Sequence, residues 1–220
     1  ANGHSYNPSI SADGRYIAFA SDAKDLLGND ISINQYRHIF VRDTDTDSTT
    51  IVSKGPEGDG NGISYNPSIS ADGRYVTFRS AASNLVAGDT NNAYDVFVVD
   101  MGVQPRTITR LSLKADGTEA SQFSSSSQPA ISDDGSRVAF ESNATNLVES
   151  DSNGTTDIFN AAVNRTYYFP WYDDNPANGM KGNWIMLNNR DVSEATVDIF
   201  IGATQVASGI KVPPGTAYPW

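Results

Sequence analysis

The sequence predicts an all-β protein that begins with three four-stranded antiparallel β-propeller blades, forming a partial or open propeller, and continues into an incomplete β-sandwich-like segment. Two observations lead to this fold class. One unit of about 60 residues occurs three times along the chain, and repetition at such a period is typical of propellers and solenoids. In addition, no long window places apolar side chains at the 3.6-residue spacing of a helix without an intervening Gly or Pro.

The repeated unit consists of two blocks. The first block is SYNPSISADGRYIAF at 5–19, SYNPSISADGRYVTF at 64–78 and SSQPAISDDGSRVAF at 126–140. The second block is HIFVRD at 38–43, DVFVVD at 95–100 and DIFNAA at 157–162. Successive copies are offset by 59 and 62 residues. This regularity excludes a chance similarity.

Each copy predicts short strands joined by tight turns. Pro8 stands at the start of a first strand, where a missing N–H costs least. Asp13-Gly14 is a strong hairpin signal, and alternating apolar residues follow it. The second block predicts a third strand, and fourth strands are predicted at Thr49–Ser53 and Thr107–Ser112. Four short antiparallel strands per repeat are typical of a propeller blade.

These blocks resemble the TolB-type β-propeller repeat, whose hallmark is Pro-x-x-Ser-x-Asp-Gly, then a hydrophobic-Ala-Phe segment and an Asp-hydrophobic-aromatic-hydrophobic strand. The first copy matches it from Pro8 through Asp13-Gly14 to Phe19, and the others match from Pro67 and Pro129. The resemblance covers residues 1–165, divided at about 1–62, 63–124 and 125–165. It implies a propeller fold and leaves function open, because the family includes periplasmic binding components, enzyme-associated domains and surface-protein modules.

Three blades are fewer than the 4–8 that close a propeller ring. The chain is therefore a fragment of a longer protein, or several chains complete the ring, or the blades form an open arc. We favour the fragment, because the chain begins at the edge of a repeat and ends on Pro-Trp. The pattern of a fourth strand is also missing after Phe159 in the third copy.

Residues 166–220 differ in composition and hold all three tryptophans. Strands are predicted at Tyr167–Tyr172, Asn183–Asn188, Ala195–Ile201 and Gln205–Val212. The segment resembles the opening of a β-sandwich module of bacterial surface proteins, although four strands are fewer than the roughly seven of a complete sandwich. Trp171, Tyr172 and Trp184 form either a glycan-stacking platform or part of a core. The core is favoured, because buried aromatic residues dominate core energetics.

Two loops carry the pattern D-x-N-x-x-x-D, which predicts a calcium site or an ordinary turn. They supply Asp89, Asn91 and Asp95 in the second copy and Asp151, Asn153 and Asp157 in the third. Calcium prefers carboxylate, amide and backbone oxygens. However, Asp and Asn also bond their own backbone in turns. The first copy has His38 where the others have the last Asp, and the turn is the favoured interpretation.

Composition excludes several function classes. The chain of 220 residues carries 15 Lys+Arg against 26 Asp+Glu, a net charge of −11, which argues against binding nucleic acid or an anionic membrane. The longest apolar runs are far shorter than a membrane span. No cysteine is present, so thiol catalysis and cysteine-based metal sites are excluded. No G-x-S-x-G motif occurs, and we expect no catalytic activity.

The predicted function is a non-catalytic binding or scaffold module of an exported bacterial protein, extracellular, periplasmic or on the cell surface. Its propeller loops would bind a protein or a cell-envelope glycan. One alternative is a structural subunit of a surface layer or filament, completed by self-assembly with neighbouring chains. Another is a propeller enzyme, such as a polysaccharide lyase or hydrolase or a peptidase-associated domain.

Overall fold

The computed structural model describes residues 1–28, 34–114, 116–120, 125–148, 151 and 153–163, and the backbone of 186–188, 195–201, 204–212 and 217–219. The chain divides into two compact units, Ala1–Thr166 and Tyr167–Trp220. In the part of the chain described, no helix has the length and hydropathy that crossing a membrane requires.

The first unit is built from short β-strands. They are β1 Ser5–Ile10, β2 Tyr16–Ser21, β3 His38–Asp43, β4 Ser48–Ile51, β5 Lys54–Gly55, β6 Gly58–Asp59, β7 Ser64–Ile69, β8 Tyr75–Ser80, β9 Asp95–Asp100, β10 Thr107–Arg110, β11 Ser126–Ile131, β12 Arg137–Ser142 and β13 Asp157–Ala162. Strands β1-β2-β3-β4 form blade 1, and β7-β8-β9-β10 form blade 2. Strands β11-β12-β13 form blade 3, and β5 pairs with β6 between the first two blades.

All strand pairs within the blades are antiparallel and join strands that are consecutive in the chain. The all-β, blade-forming fold class predicted from the repeats is thereby confirmed. Blades 1 and 2 have four strands each. The predicted start of the first strand at the proline was wrong: β1 and β7 begin at Ser5 and Ser64, and Pro8 and Pro67 lie inside them, where the strand pairing is irregular and a missing N–H is tolerated. Blade 3 has three strands in the described residues, and residues 164–185 lie outside them.

The second unit shows two small antiparallel sheets. Strands β14 Met186–Asn188 and β17 Ala217–Pro219 form one pair, and β15 Ala195–Ile201 and β16 Thr204–Val212 form the other. The predicted strand at 167–172 lies outside the described residues. The sandwich-like assignment of 166–220 therefore stays a prediction.

The turn between the first two strands of each blade is held by a serine and an aspartate. In blade 1, Ser11 Oγ donates to Asp13 Oδ1 over 2.5 Å, and the Arg15 N–H donates to the same oxygen over 3.0 Å. The Tyr16 N–H in turn donates to Ser11 Oγ. Gly14 has φ +77°, a conformation that favours glycine. Blades 2 and 3 repeat these bonds around Asp72 and Asp134.

Adjacent blades pack through two different faces of the same repeat. Each blade has a stacked phenylalanine pair with ring centroids 5.8–5.9 Å apart: Phe19–Phe40, Phe78–Phe97 and Phe140–Phe159. The phenylalanine face of blade 2 packs on blade 1, where it meets Ala18, Ala20, Ile39 and Val41. The phenylalanine face of blade 3 packs in the same way on Tyr75, Val96 and Val98 of blade 2. Each inter-blade core therefore joins the phenylalanine face of one blade to the opposite face of the preceding blade.

Backbone bonds fix the register between blades. The Ile69 N–H donates to Ser9 Oγ over 3.2 Å, and the Ile131 N–H donates to Ser68 Oγ over 3.3 Å. At the turns, the Ala12 N–H donates to the Ala71 carbonyl, and the Ala71 N–H donates to the Asp133 carbonyl, both over 2.9 Å. Each blade is thus placed on the next by the same set of contacts.

Candidate functional site

The blade 2 loop predicted to bind calcium encloses an arginine. Arg110, the last residue of β10, places Nη1 2.9 Å from Asp89 Oδ1, 3.5 Å from Asp95 Oδ2 and 2.9 Å from Glu119 Oε1. The side chains of Arg110, Asp89 and Asp95 are only 6%, 5% and 2% exposed. Two of the three predicted blade 2 ligands therefore meet a guanidinium that already supplies positive charge at this position.

The third predicted ligand, Asn91, orders the loop. Its Nδ2 donates to Asp95 Oδ2 over 2.9 Å, and its Oδ1 accepts the Ala93 N–H over 3.0 Å. Ser112 Oγ donates to Asp95 Oδ1 over 2.5 Å, and the same Oγ accepts the Val96 N–H. These bonds make the Asn-x-x-x-Asp segment a side-chain-stabilised turn at the entrance to β9.

Arg110 carries one positive charge against three carboxyl groups. The pKa values of these three groups are shifted in different directions. Burial, reinforced by the charge of Asp95, raises the pKa of Asp89 to about 6. Burial also raises the pKa of Asp95, although bonds from Ser112 and Asn91 oppose it. For Glu119, burial acts upward, but hydrogen bonds from Thr90 and Arg110 outweigh it and lower the pKa to about 2. The cluster is therefore a largely buried ion-pair network in which carboxylates outnumber the guanidinium.

The blade 3 loop forms the same turn in a more exposed setting. Asn153 Nδ2 lies 3.1 Å from both carboxylate oxygens of Asp157, and Asn153 Oδ1 accepts the Thr155 N–H over 2.9 Å. Asp151 is half-buried. Within the described residues, no group of three or more His, Cys, Asp or Glu side chains is placed to hold a metal ion. Calcium binding at this loop stays a prediction.

In blade 1, His38 takes the position of the last Asp of this turn and is fully buried. His38 Nε2 lies 2.7 Å from Asn34 Oδ1, and Nδ1 lies 3.0 Å from Ser53 Oγ. Asn34 Nδ2 donates to the Gly60 carbonyl, and Ser53 Oγ accepts the Ile39 N–H. Asn34 Oδ1 accepts from Nε2–H, and a neutral ring can accept at Nδ1 from the Ser53 hydroxyl. Burial lowers the pKa of His38 to about 4.

The predicted aromatic platform cannot be placed. Trp171, Tyr172 and Trp184 lie outside the described residues. Their assignment to glycan stacking or to a core stays a prediction.

A site that the motifs did not indicate lies where the first strands of the blades meet. Strands β1, β7 and β11 are neighbours, and each carries a β-bulge before its proline. The bulge residues Asn7, Asn66 and Gln128 have φ of 51°, 50° and 46°. Residues other than glycine rarely adopt this conformation, and it costs most for one such as Gln128 that lacks the short side chain of Asn.

The three bulges surround one opening of about 290 Å³, which we call the inner rim. It is lined by Asn7, Pro8, Asn66, Pro67, Gln128 and Pro129. Asn7 and Gln128 are exposed and Asn66 is half-buried. The same left-handed backbone conformation occurs at equivalent positions of three blades, and each of these residues carries a carboxamide side chain. Backbone strain of this kind concentrates at binding sites.

Next to the inner rim, tyrosine and arginine side chains alternate in a stack. The Arg37 guanidinium carbon lies 4.1 Å from the Tyr6 ring centroid and 4.8 Å from that of Tyr65. That of Arg79 lies 5.0 Å from Tyr65 and 4.5 Å from Tyr94. The cation–π contact of Arg37 with Tyr65 joins blades 1 and 2 beside the inner rim.

Sequence reasoning missed the inner rim and the Arg110 cluster for different reasons. The repeated Asn-Pro and Gln-Pro pairs were visible signals, but a β-bulge is not evident from a strand pattern. Arg110 has no counterpart in blade 1, where Ile51 occupies its position.

The comparisons with known proteins concern the fold. No family model and no curated protein matches the chain. Among solved structures it is similar to putative TolB from Agrobacterium tumefaciens, at 18% identity and a TM-score of 0.41 over 72% of this chain and 50% of that one. It is also similar to TolB from Acinetobacter baumannii, at 15% identity and a TM-score of 0.40 over 99% of this chain and 45% of that one.

A third similar structure is the beta-propeller domain of the Trilobed protease from Pyrococcus furiosus, which has an open velcro topology. The identity is 12% and the TM-score 0.40, over 99% of this chain and 57% of that one. The chain thus spans about half the length of these structures.

Proposed function

We propose that the protein is a non-catalytic binding module of a TolB-like propeller, and that the inner rim is its binding surface for an extended segment of a partner protein. The observation that carries this proposal is the set of three carboxamides at Asn7, Asn66 and Gln128. They stand at equivalent points around one opening, each in a left-handed backbone conformation.

Carboxamides suit a polypeptide partner because they offer the same groups as a peptide bond. Each side chain has one carbonyl acceptor and an NH₂ with two donors. A row of such groups pairs with the N–H and C=O groups of an extended chain without demanding particular side chains. The prolines beside them fix the local backbone, so little conformational entropy is lost on binding.

A binding role agrees better with the charged groups than catalysis does. Burial raises the pKa of Asp89 to about 6, but its side chain is 5% exposed and is held by Arg110. A general acid or base must reach the proton it transfers. His38 is buried, and its two ring nitrogens are hydrogen-bonded to Ser53 and Asn34.

The remaining parts of the proposal follow from the sequence. The module belongs to an exported bacterial protein and acts in the periplasm, at the cell surface or outside the cell. A cell-envelope glycan is the alternative partner, and it would use Trp171, Tyr172 and Trp184. Asp151, Asn153 and Asp157 are proposed to act as turn residues, and calcium at this loop is the alternative.

The test removes the carboxamides without changing the backbone. Replacing Asn7, Asn66 and Gln128 by glycine keeps the left-handed conformation accessible. A displayed library of random peptides is selected on the full chain and then assayed on the triple-glycine variant. We expect the selected peptides to lose at least about tenfold in affinity, equivalent to about 1.4 kcal/mol.

Two controls make the result decisive. The variant Val148→Ser alters an exposed side chain away from the inner rim and should bind the selected peptides as the unaltered chain does. A preparation of cell-envelope glycan is assayed in parallel. Peptides that bind the triple-glycine variant equally well, or binding of the glycan alone, would contradict the proposed function.

A further inference from the structure

The inner rim repeats the same chemistry in every blade, but the residue pairs next to it differ. In each blade, the residue before the bulge pairs across the sheet with a residue of the second strand. These pairs are Tyr6 with Ala20 in blade 1, Tyr65 with Arg79 in blade 2, and Ser127 with Glu141 in blade 3. The repeated carboxamides do not distinguish one partner segment from another, so selectivity has to come from positions that differ between blades.

Arg79 is a cation without a carboxylate partner in the part of the chain that the structure describes. Its guanidinium carbon lies 5.0 Å from the Tyr65 ring centroid and 4.5 Å from that of Tyr94. Its Nε is buried without a hydrogen-bond partner among the described residues, and none of the ion pairs formed there includes it. An unpaired buried N–H is unfavourable. Arg79 as a whole is only half-buried, so part of the side chain is open to a ligand.

Arg37, the neighbouring arginine of the stack, shows how such a guanidinium binds a carboxylate. Its guanidinium carbon also lies over two rings, those of Tyr6 and Tyr65. Its Nε and Nη2 donate to the two carboxylate oxygens of Asp22, each over 2.9 Å. In blade 2, Ala81 follows the second strand where Asp22 follows it in blade 1. The second arginine therefore has the aromatic support of the first but lacks its carboxylate.

We propose that Arg79 binds a carboxylate of the partner segment and is the specificity-determining residue of the inner rim. This inference rests on the proposed function and adds the chemical class of the partner, an extended segment with an acidic side chain or a free C-terminal carboxylate. Arg79 lies beside the blade 2 carboxamide, because it pairs with Tyr65, the residue before Asn66. One extended segment therefore meets both groups within a few residues of its own length.

A guanidinium held between aromatic rings suits this role. It is planar and presents N–H donors in a fork that matches the two oxygens of a carboxylate. Because the Arg79 Nε is enclosed, the carboxylate pairs with the two terminal nitrogens, Nη1 and Nη2. The contacts with Tyr65 and Tyr94 restrict the side chain before the partner arrives, so less conformational entropy is lost on binding.

The charge of the whole protein acts against an acidic partner, which makes the preference diagnostic of Arg79. The net charge of −11 attracts basic peptides and repels acidic ones. In blade 3, Glu141 stands at the position of Arg79 and accepts a hydrogen bond from Ser127 Oγ over 3.3 Å, so a further negative charge lies at the equivalent point. A preference for acidic segments therefore requires a local cation.

Chemical changes to the peptide test the inference without altering the protein. Random peptides displayed with a free C-terminus are selected on the full chain. Each selected peptide is then made as selected, with its Asp or Glu replaced by Asn or Gln, and with an amidated C-terminus. We expect one of the two altered forms to lose at least about tenfold in affinity. Which form loses affinity identifies the source of the carboxylate.

A variant of the protein assigns that loss to Arg79. Arg79→Gln should weaken binding of the selected peptide by at least about tenfold and leave binding of its neutral form unchanged. A purely structural role of Arg79 would weaken both forms equally. Arg42→Gln is the matched control, because it removes one positive charge near the other end of β3 from Arg37, where the partner Asp47 is 90% exposed. It should bind both forms as the unaltered chain does.

The outcomes separate this inference from the proposed function. Selected peptides that need no carboxylate, or an equal loss of both forms on Arg79→Gln, would overturn the role of Arg79. If such peptides still lose affinity on the triple-glycine variant, the proposed function stands. Peptides that depend on Arg79 but bind the triple-glycine variant unchanged would contradict the proposed function alone. A selection that recovers no peptide would contradict both.

Discussion

The ring of Tyr16 lies directly against Gly73, so that a Cβ on Gly73 would overlap the ring. The first residue belongs to β2 of blade 1 and the second to the Asp-Gly turn of blade 2. The same relationship joins Tyr75 to Gly135 of blade 3. Glycine at these turns therefore serves the packing between blades as well as the backbone conformation.

This contact predicts different costs for one substitution at equivalent glycines. Gly14, at φ +77°, and Gly73, at φ +73°, need the same backbone conformation, but space is open only at Gly14. Gly14→Ala should cost about 1–2 kcal/mol through backbone strain. Gly73→Ala should cost about 1–3 kcal/mol more through overpacking. Urea unfolding of dilute protein measures both, and equal losses would show that Tyr16 moves aside freely.

The Arg110 cluster predicts a large loss when its cation is removed. Arg110→Met leaves Asp89, Asp95 and Glu119 without their shared partner, and Asp89 and Asp95 are almost fully buried. Breaking a buried network by removing one partner costs about 3–5 kcal/mol. The control is Arg42→Met, because Arg42 pairs with Asp47, whose side chain is 90% exposed, and such pairs contribute about 1 kcal/mol or less. Similar losses in the two variants would refute a buried network.

His38 predicts how stability changes with pH. Its pKa is lowered from 6.5 to about 4 by burial, so the unfolded chain binds more protons between these values. The free energy of unfolding should therefore rise with pH from about 4 to 6.5, by up to about 3 kcal/mol for this residue. His38→Gln preserves a donor and an acceptor and should flatten that rise.

Asp89 changes the free energy of unfolding with pH in the opposite direction to His38. The two contributions are therefore separated by comparing the pH profiles of single variants. Its pKa is raised to about 6, so its contribution to stability falls as pH rises from the ordinary carboxyl value to about 6. Urea unfolding at several pH values is compared for the unaltered chain, His38→Gln and Asp89→Asn. If His38→Gln leaves the pH profile unchanged, the imidazole is not buried in its neutral form.

The D-x-N-x-x-x-D loops predict no response to calcium, because both are closed by their own hydrogen bonds and Arg110 supplies the cation in blade 2. Calcium and EDTA should leave the thermal unfolding midpoint unchanged. A ligand at 100 times its dissociation constant would add about 2.7 kcal/mol of stability. A midpoint that EDTA lowers, with the difference abolished by Asp151→Ala, would instead establish a calcium site in blade 3.

Prediction from the sequence succeeded where structure depends on neighbours in the chain. The Ser-x-Asp-Gly turns, the alternating strands after them and the phenylalanine positions recur in every copy. Turn chemistry and period-2 patterning therefore indicated the blades and most strand limits. The Asn-Pro and Gln-Pro pairs of the inner rim were visible in the repeated sequence. The β-bulge that brings them to equivalent positions was not, because it depends on strand pairing.

Contacts between distant parts of the chain were decided only by the tertiary structure. Arg110 reaches Asp89 across 21 residues of sequence, and Tyr16 meets Gly73 across two blades. The sequence by itself determined that the first part of this protein consists of repeated β-blades, because hydrophobic periodicity and turn residues act locally. The structure decided which side chains face one another, since that depends on strand register and on the stacking of whole blades.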